Sequence, residues 1–304
     1  MERVPIGLRS AIFAAAILAV PVRLSSNAPA RTHSSSPSSI LHLQRRSNFD
    51  LRLSGDLIGV PSAATRYISR EDLLRLPQQT FTVARDGNFW RPTEVSGVPL
   101  AQLVERFAAS PTSDLVLAIC TDRYCAPYPQ AYLAAHKPIL VLRIDGKSPA
   151  QWPKDSEGGD LGPYLISNPD FTPSFKILSH RDEEQIPWGV VQLEFRNQRE
   201  VLGAIAPRGP RARDALVQDG YRIAQQNCFR CHNLGSVGGM KSGLTWNVLS
   251  AWASGSPEFF TAYVRSPKAK NSKAQMPPNP DYDRHTLRAL TAYFQTFSRP
   301  EQKR

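Results

Sequence analysis

The sequence predicts a two-domain chain, a mixed α+β domain followed by an all-α domain, and three observations carry that reading. Short apolar runs of strand and helix type alternate in mixed order over residues 49–205. The segment Ala206-Pro207-Arg208-Gly209-Pro210-Arg211-Ala212-Arg213 then breaks apolar periodicity with Pro, Gly and Arg, as linkers do. Beyond it, residues 214–300 place apolar residues at helical spacing around a Cys-x-x-Cys-His motif.

Upstream of both domains, Arg3 and Arg9 precede the apolar run Ala11 to Val22, and Ala28-Pro29-Ala30 offers small residues for cleavage. Residues 1–30 therefore read as a signal peptide, which implies an exported, periplasmic protein. The run is short for a bilayer span, and an uncleaved N-terminal membrane anchor is the alternative. No cysteine lies near the cleavage point, which excludes a lipid-modified N-terminal cysteine. Ser34 to Ser39 is rich in Ser and Pro, so residues 31–48 read as a flexible tether. The formal net charge of +11 favours acidic redox partners but is spread along the chain. With no basic helix and no reader motif, a nucleic-acid partner is not expected.

In the first domain, Ser69-Arg70-Glu71-Asp72 reads as a helix start with Ser69 as cap and an acid three residues on. Phe81 to Ala84, Leu115 to Ile119, Ile139 to Ile144 and Val190 to Phe195 read as strands, and Leu100 to Phe107 as a helix. Asp122, Arg123 and Tyr124 read as a solvated loop with its own charge pair, or as the edge of a polar pocket. Trp90, Trp152 and Trp188 read as packing residues.

The second domain carries the chemistry. In Cys228-Phe229-Arg230-Cys231-His232, two thiols three positions apart can add to the two vinyl groups of a porphyrin, and the next imidazole can reach the iron. A redox dithiol or half a zinc site are the competing readings. Zinc needs further ligands, and the only other thiols, Cys120 and Cys125, lie about a hundred residues upstream. One covalent haem c is the cofactor expected. Asp214 to Asn227 forms the helix leading into the motif, with Gly220 tolerated for a close helix crossing. Ser256-Pro257-Glu258 starts a short aromatic helix, and Asp283 caps a last helix in which Leu287, Leu290, Phe294 and Phe297 share a face. Met276, before Pro277, offers a soft neutral thioether as a sixth ligand. Met240 closes a Gly238-Gly239 turn and is the second choice, with His285 behind it.

These residues resemble two families. Residues 214–299 look like a class I cytochrome c domain. The resemblance implies that Gly220 sits where the first and last helices cross, with Tyr293 as aromatic crossing partner. It implies that Cys228 and Cys231 hold haem while His232 and Met276 ligate iron. Ala224 departs from the aromatic common at its place, and Tyr221 one turn earlier can fill the space. Gly243-Leu244-Thr245 resembles the haem-lining Gly-Pro-Asp-Leu stretch without its Pro and Asp.

Residues 50–197 resemble the molybdopterin-binding domain of the sulfite oxidase family, through Leu53-Ser54-Gly55, Ser69 to Leu73, Gly97-Val98-Pro99-Leu100 and Gly162-Pro163-Tyr164-Leu165. That family holds molybdenum on a Cys thiolate, but Thr121-Asp122-Arg123-Tyr124 after Cys120 does not reproduce the surroundings, which counts against a molybdopterin here. Cys120 and Cys125 are instead expected to form a small disulfide, with free buried thiols and a metal or cofactor contact as alternatives.

The expected function is an exported monohaem c-type cytochrome that carries single electrons. Its first domain would dock a redox protein or an electron-transfer complex, a membrane-associated one included. One alternative is a molybdenum-dependent oxidoreductase of a small anion with internal electron transfer to haem. The other is a structural haem-containing subunit of an electron-transfer assembly. No catalytic residue is assigned, and an electron-transfer protein or oxidoreductase subunit is favoured over a self-contained enzyme.

Overall fold

The computed structural model describes residues 40–61, 64–84, 86–155, 158–169 and 183–298. The expected signal peptide lies outside the described residues. An N-terminal mixed α+β domain is followed by a mostly helical C-terminal one, and the described residues belong to one compact unit.

The α+β domain is built from β1 (Leu41–His42), β2 (Leu51–Gly55), β3 (Arg66–Ile68), α1 (Arg70–Arg75), β4 (Gln79–Val83), β5 (Thr93–Pro99) and α2 (Leu100–Phe107). It continues through β6 (Leu115–Cys120), β7 (Cys125–Pro129), α3 (Gln130–His136), β8 (Ile139–Ile144), β9 (Leu165–Ser167), β10 (Val190–Arg196) and α4 (Gln198–Ala204). One sheet runs β1-β3-β2-β10-β6-β7, antiparallel except for the β2–β10 pair, and a second runs β4-β5-β8-β9, antiparallel throughout. The expected cap of α1 forms, with the Asp72 N–H donating to the Ser69 hydroxyl at 3.1 Å.

Two expectations fail here. The tether was expected to reach residue 48, yet β1 pairs with β3, and Ile40 and Leu41 pack against the first core. The Ser/Pro composition that argues for a tether stops at Ser39, and the apolar pair after it has a sheet edge to cover. Trp90, expected to pack, is 78 % exposed in the connection between β4 and β5.

The C-terminal domain comprises α5 (Ala215–Gln226), a small hairpin of β11 (Asn233–Leu234) and β12 (Val237–Gly238), α6 (Trp246–Gly255), α7 (Pro257–Arg265), α8 (Pro267–Lys270) and α9 (Arg284–Gln295). Asp283 caps α9 as expected, its carboxylate accepting from the Thr286 N–H at 2.8 Å. Among the described residues, no helix is long and apolar enough to cross a membrane.

Strand β6 joins the domains. Side chains alternate across a strand, and here Val116, Ala118 and Cys120 enter the core of the α+β domain. Leu115, Leu117 and Ile119 enter the core formed by α4 to α7 and α9. The unbroken apolar run Leu-Val-Leu-Ala-Ile-Cys is thus the sequence of a strand buried on both faces.

Candidate functional site

Helix α5 delivers the Cys-x-x-Cys-His motif, and what fixes its end is its crossing with α9. A β-carbon on Gly220 would lie 2.0 Å from the Ala289 carbonyl oxygen and 2.6 Å from Tyr293 Cβ, so only glycine allows the approach. Tyr221 stacks on Tyr293 with ring centroids 5.7 Å apart, beside the fully buried Ala224, which answers the question raised by the missing aromatic at 224. The Tyr293 hydroxyl donates to the Ile205 carbonyl at 2.5 Å and accepts from Trp246 Nε1 at 3.2 Å.

After α5 the chain turns tightly, the Phe229 N–H donating to Ala224 O at 2.9 Å and the His232 N–H to Cys228 O at 2.9 Å. Phe229 is fully buried and anchors the loop in the helical core. His232 is 6 % exposed, and its Nδ1 lies 2.5 Å from the Leu244 carbonyl oxygen. A carbonyl only accepts, so Nδ1 carries the proton and Nε2 keeps its lone pair. Burial pushes the His232 pKa below its ordinary value, with the Leu244 contact opposing, and the ring is neutral at pH 7. Leu244 thus supplies the carbonyl that orients the imidazole although the Pro and Asp of the related stretch are absent, because the contact needs only backbone.

Cys228 and Cys231 remain partly exposed. Burial pushes the Cys228 thiol up to about 12, the neighbouring Cys231 adding and Arg230 opposing. Cys228, Leu234, Val237, Leu244, Trp252 and Met276 are partly buried and pack against the helical core. Met240 does not belong to that cluster and is 41 % exposed. His285 pairs with Asp219 at 3.3 Å. The glycine turn before Met240 lies against the motif's own backbone, where a β-carbon on Gly239 would sit 1.9 Å from Arg230 O. In α7, Phe260 packs on Phe294 at 5.5 Å, while Phe259 and Tyr263 surround Trp252.

As a donor set, two thiols three residues apart, a neutral imidazole held through its far nitrogen and a thioether in an apolar lining fit a covalently attached haem. Among the described residues no group of three or more His, Cys, Asp or Glu side chains is placed to hold a metal ion.

The pattern reading missed the contact made by the β6–β7 hairpin. Arg123 takes a left-handed backbone conformation (φ 68°), and its carbonyl accepts from the Met240 N–H at 3.0 Å. Asp122 pairs with Lys241 at 2.6 Å, and the Cys125 N–H donates to Arg230 O at 2.8 Å. The Asp122-Arg123-Tyr124 loop is therefore a seat for the motif and its glycine turn; Arg123 stays exposed, as expected of a solvated loop, but the charge pair of Asp122 is with Lys241 and not within the loop. The expected Cys120–Cys125 disulfide is not formed. Both thiols are free, and the strand alternation sends Cys120 into one core and Cys125 into the other. A disulfide needs β-carbons facing each other about 4 Å apart.

A family model described as cytochrome c oxidase, cbb3-type, subunit III matches residues 215–294. The C-terminal domain is cytochrome-like. None of the curated proteins matches the chain. Among solved structures, the sulfane dehydrogenase SoxCD from Paracoccus pantotrophus aligns at 17% identity and a TM-score of 0.35, covering 56% of this chain and 45% of that one. The chain thus spans less than half the length of that protein. The family match takes in the cytochrome-like domain from the start of α5 almost to the end of α9, and with it Cys228, Cys231, His232 and Met276.

Proposed function

We propose that the protein is an exported monohaem c-type cytochrome that carries single electrons, with residues 49–205 docking a redox protein or an electron-transfer complex. In this reading residues 1–30 are removed on export, 206–213 link the domains, and 214–300 form the haem domain. The observation that carries it is the His232 ring. Its Nδ1 is committed to the Leu244 carbonyl, so Nε2 is the one lone pair of the imidazole left for a metal, directly beyond the two motif thiols.

Haem, when bound, supplies a one-electron iron couple. Cys228 and Cys231 would hold it covalently, His232 would ligate as a neutral imidazole and Met276 as a neutral thioether. Two neutral protein ligands leave no coordination position for substrate, which favours electron transfer over chemistry at the metal. Leu234, Val237 and Leu244, near the motif in the chain and packed against the helical core, would exclude water from the site and lower the local dielectric. Against a molybdenum ligand at Cys120 stands the Thr121-Asp122-Arg123-Tyr124 run after it, which does not reproduce the surroundings of the molybdenum cysteine in the sulfite oxidase family.

Acid-acetone extraction of protein matured in an export-competent host tests the reading. The denatured chain should keep haem absorbance and a mass increase of one haem, and loss of both would reject it. Metal analysis of protein from its native host should show iron near one atom per chain. Stoichiometric molybdenum that disappears in Cys120→Ser would replace this reading by a molybdenum oxidoreductase.

A further inference from the structure

The two spacer residues of the motif point to different domains. Phe229 fills the helical core, whereas Arg230 reaches into the α+β domain, its Nη2 3.4 Å from the Glu184 carbonyl oxygen and its guanidinium against Tyr124. Its own carbonyl accepts from the Cys125 N–H, the first residue of β7. Tyr124 is shared, since Lys241 Nζ lies 5.8 Å above its ring while Asp122 neutralises that lysine. Arg230 thus meets the hairpin by backbone and side chain at once, between the two cysteines of the motif.

We propose that Arg230 is a positioning residue that locks the haem-attachment loop onto the β6–β7 hairpin and holds a fixed positive charge beside it, favouring the reduced state of a haem carried there. This rests on the haem reading above. A guanidinium stays protonated at any physiological pH. Glu183 belongs to the same cluster, so removing Arg230 takes away a cation and leaves that carboxylate unopposed by it. Loss of the cation disfavours adding an electron to the iron. The α+β domain would in this way set how readily the haem accepts electrons, without contributing a ligand.

Two variants separate charge from position. Arg230→Gln should keep covalent haem and show a midpoint potential lower than that of the unaltered protein, while Arg230→Lys should keep most of the original potential. Arg230→Lys loses the planar fork, so amide hydrogen exchange at Cys125 and Met240 should become faster, on the order of tenfold. Unchanged potential in haem-loaded Arg230→Gln overturns the charge role, and unchanged exchange in Arg230→Lys overturns the positioning role. The exchange measurement holds even if Arg230→Gln fails to mature. Absence of covalent haem from the unaltered protein would overturn the haem reading first and this proposal with it, an outcome visible before any variant is made.

Discussion

Gly220 in α5 passes the backbone of Ala289 in α9 so closely that a single added methyl group would overlap the Ala289 carbonyl, at 2.0 Å. The obstacle is backbone and cannot rotate away, so the helices must separate to admit it. Gly220→Ala should destabilise the protein by about 3 kcal/mol despite alanine's better helix propensity. Urea denaturation measures this, and a stabilised variant would mean that the helices do not cross there.

Met276 and Met240 differ in surroundings, one packed against the helical core and the other at the protein surface. In the reduced haem protein, proton NMR should show a strongly upfield methyl signal that vanishes in Met276→Ala and persists in Met240→Ala. Persistence in Met276→Ala would move the sixth ligand elsewhere, with His285 already engaged by Asp219.

Cys120 and Cys125 should both react as free thiols once the protein is denatured without reductant, and mass mapping should find no bridged peptide. Each is buried in its own core, burial pushing Cys125 up to about 12 and Cys120 further, so neither should react while the fold is intact. Cys125→Ala should cost about 1 kcal/mol by leaving a small void beneath the helices. A bridged peptide would contradict the facing of the two strands.

Glu184 gives the protein a pH dependence near neutrality. Burial first, and Asp86 second, push its carboxyl up from 4.5 to about 7, with Arg230 opposing. Between those values the folded chain holds a proton that the unfolded chain has released, so stability should fall as pH rises through that window. With allowance for partial exposure the loss is roughly 2 kcal/mol. Urea midpoints at pH 5 and 7.5 should differ in the unaltered protein and differ less in Glu184→Gln.

The parts legible in the sequence are those fixed by local chemistry. Ser69 and Asp283 announce helix starts because a cap is a contact within four residues. The 100–107 helix and the 139–144 strand agree with the structure residue for residue. Gly220 was legible as a crossing point because a glycine inside an otherwise good helix needs a reason. Strand β7 was not, since Cys-Ala-Pro-Tyr-Pro carries two prolines that argue against a strand, and its place beyond β6 at the end of the sheet tolerates them. Helix α6 was missed because the segment before Ser256 was read only through its likeness to a haem-lining stretch. The partners of Arg230 were out of reach for another reason. Tyr124, Cys125 and Glu184 lie far from it in the chain, and nothing in the motif says which way a spacer side chain points. Leu244 shows the same limit from the opposite side, because the contact that orients His232 uses a backbone oxygen whose side chain carries no signal.

Strand β6 has a consequence for any attempt to transplant the cytochrome-like helices onto another protein. Leu115, Leu117 and Cys125 belong to the helical core by packing, although they lie upstream of the Pro/Gly/Arg segment at 206–213. A graft cut at that segment would carry the motif but leave behind part of the floor on which its helices rest. It would arrive in its new host with an apolar face open to water. The portable piece of this molecule is thus larger than its Cys-x-x-Cys-His motif and helices suggest, and a recipient would have to offer a two-sided strand of its own.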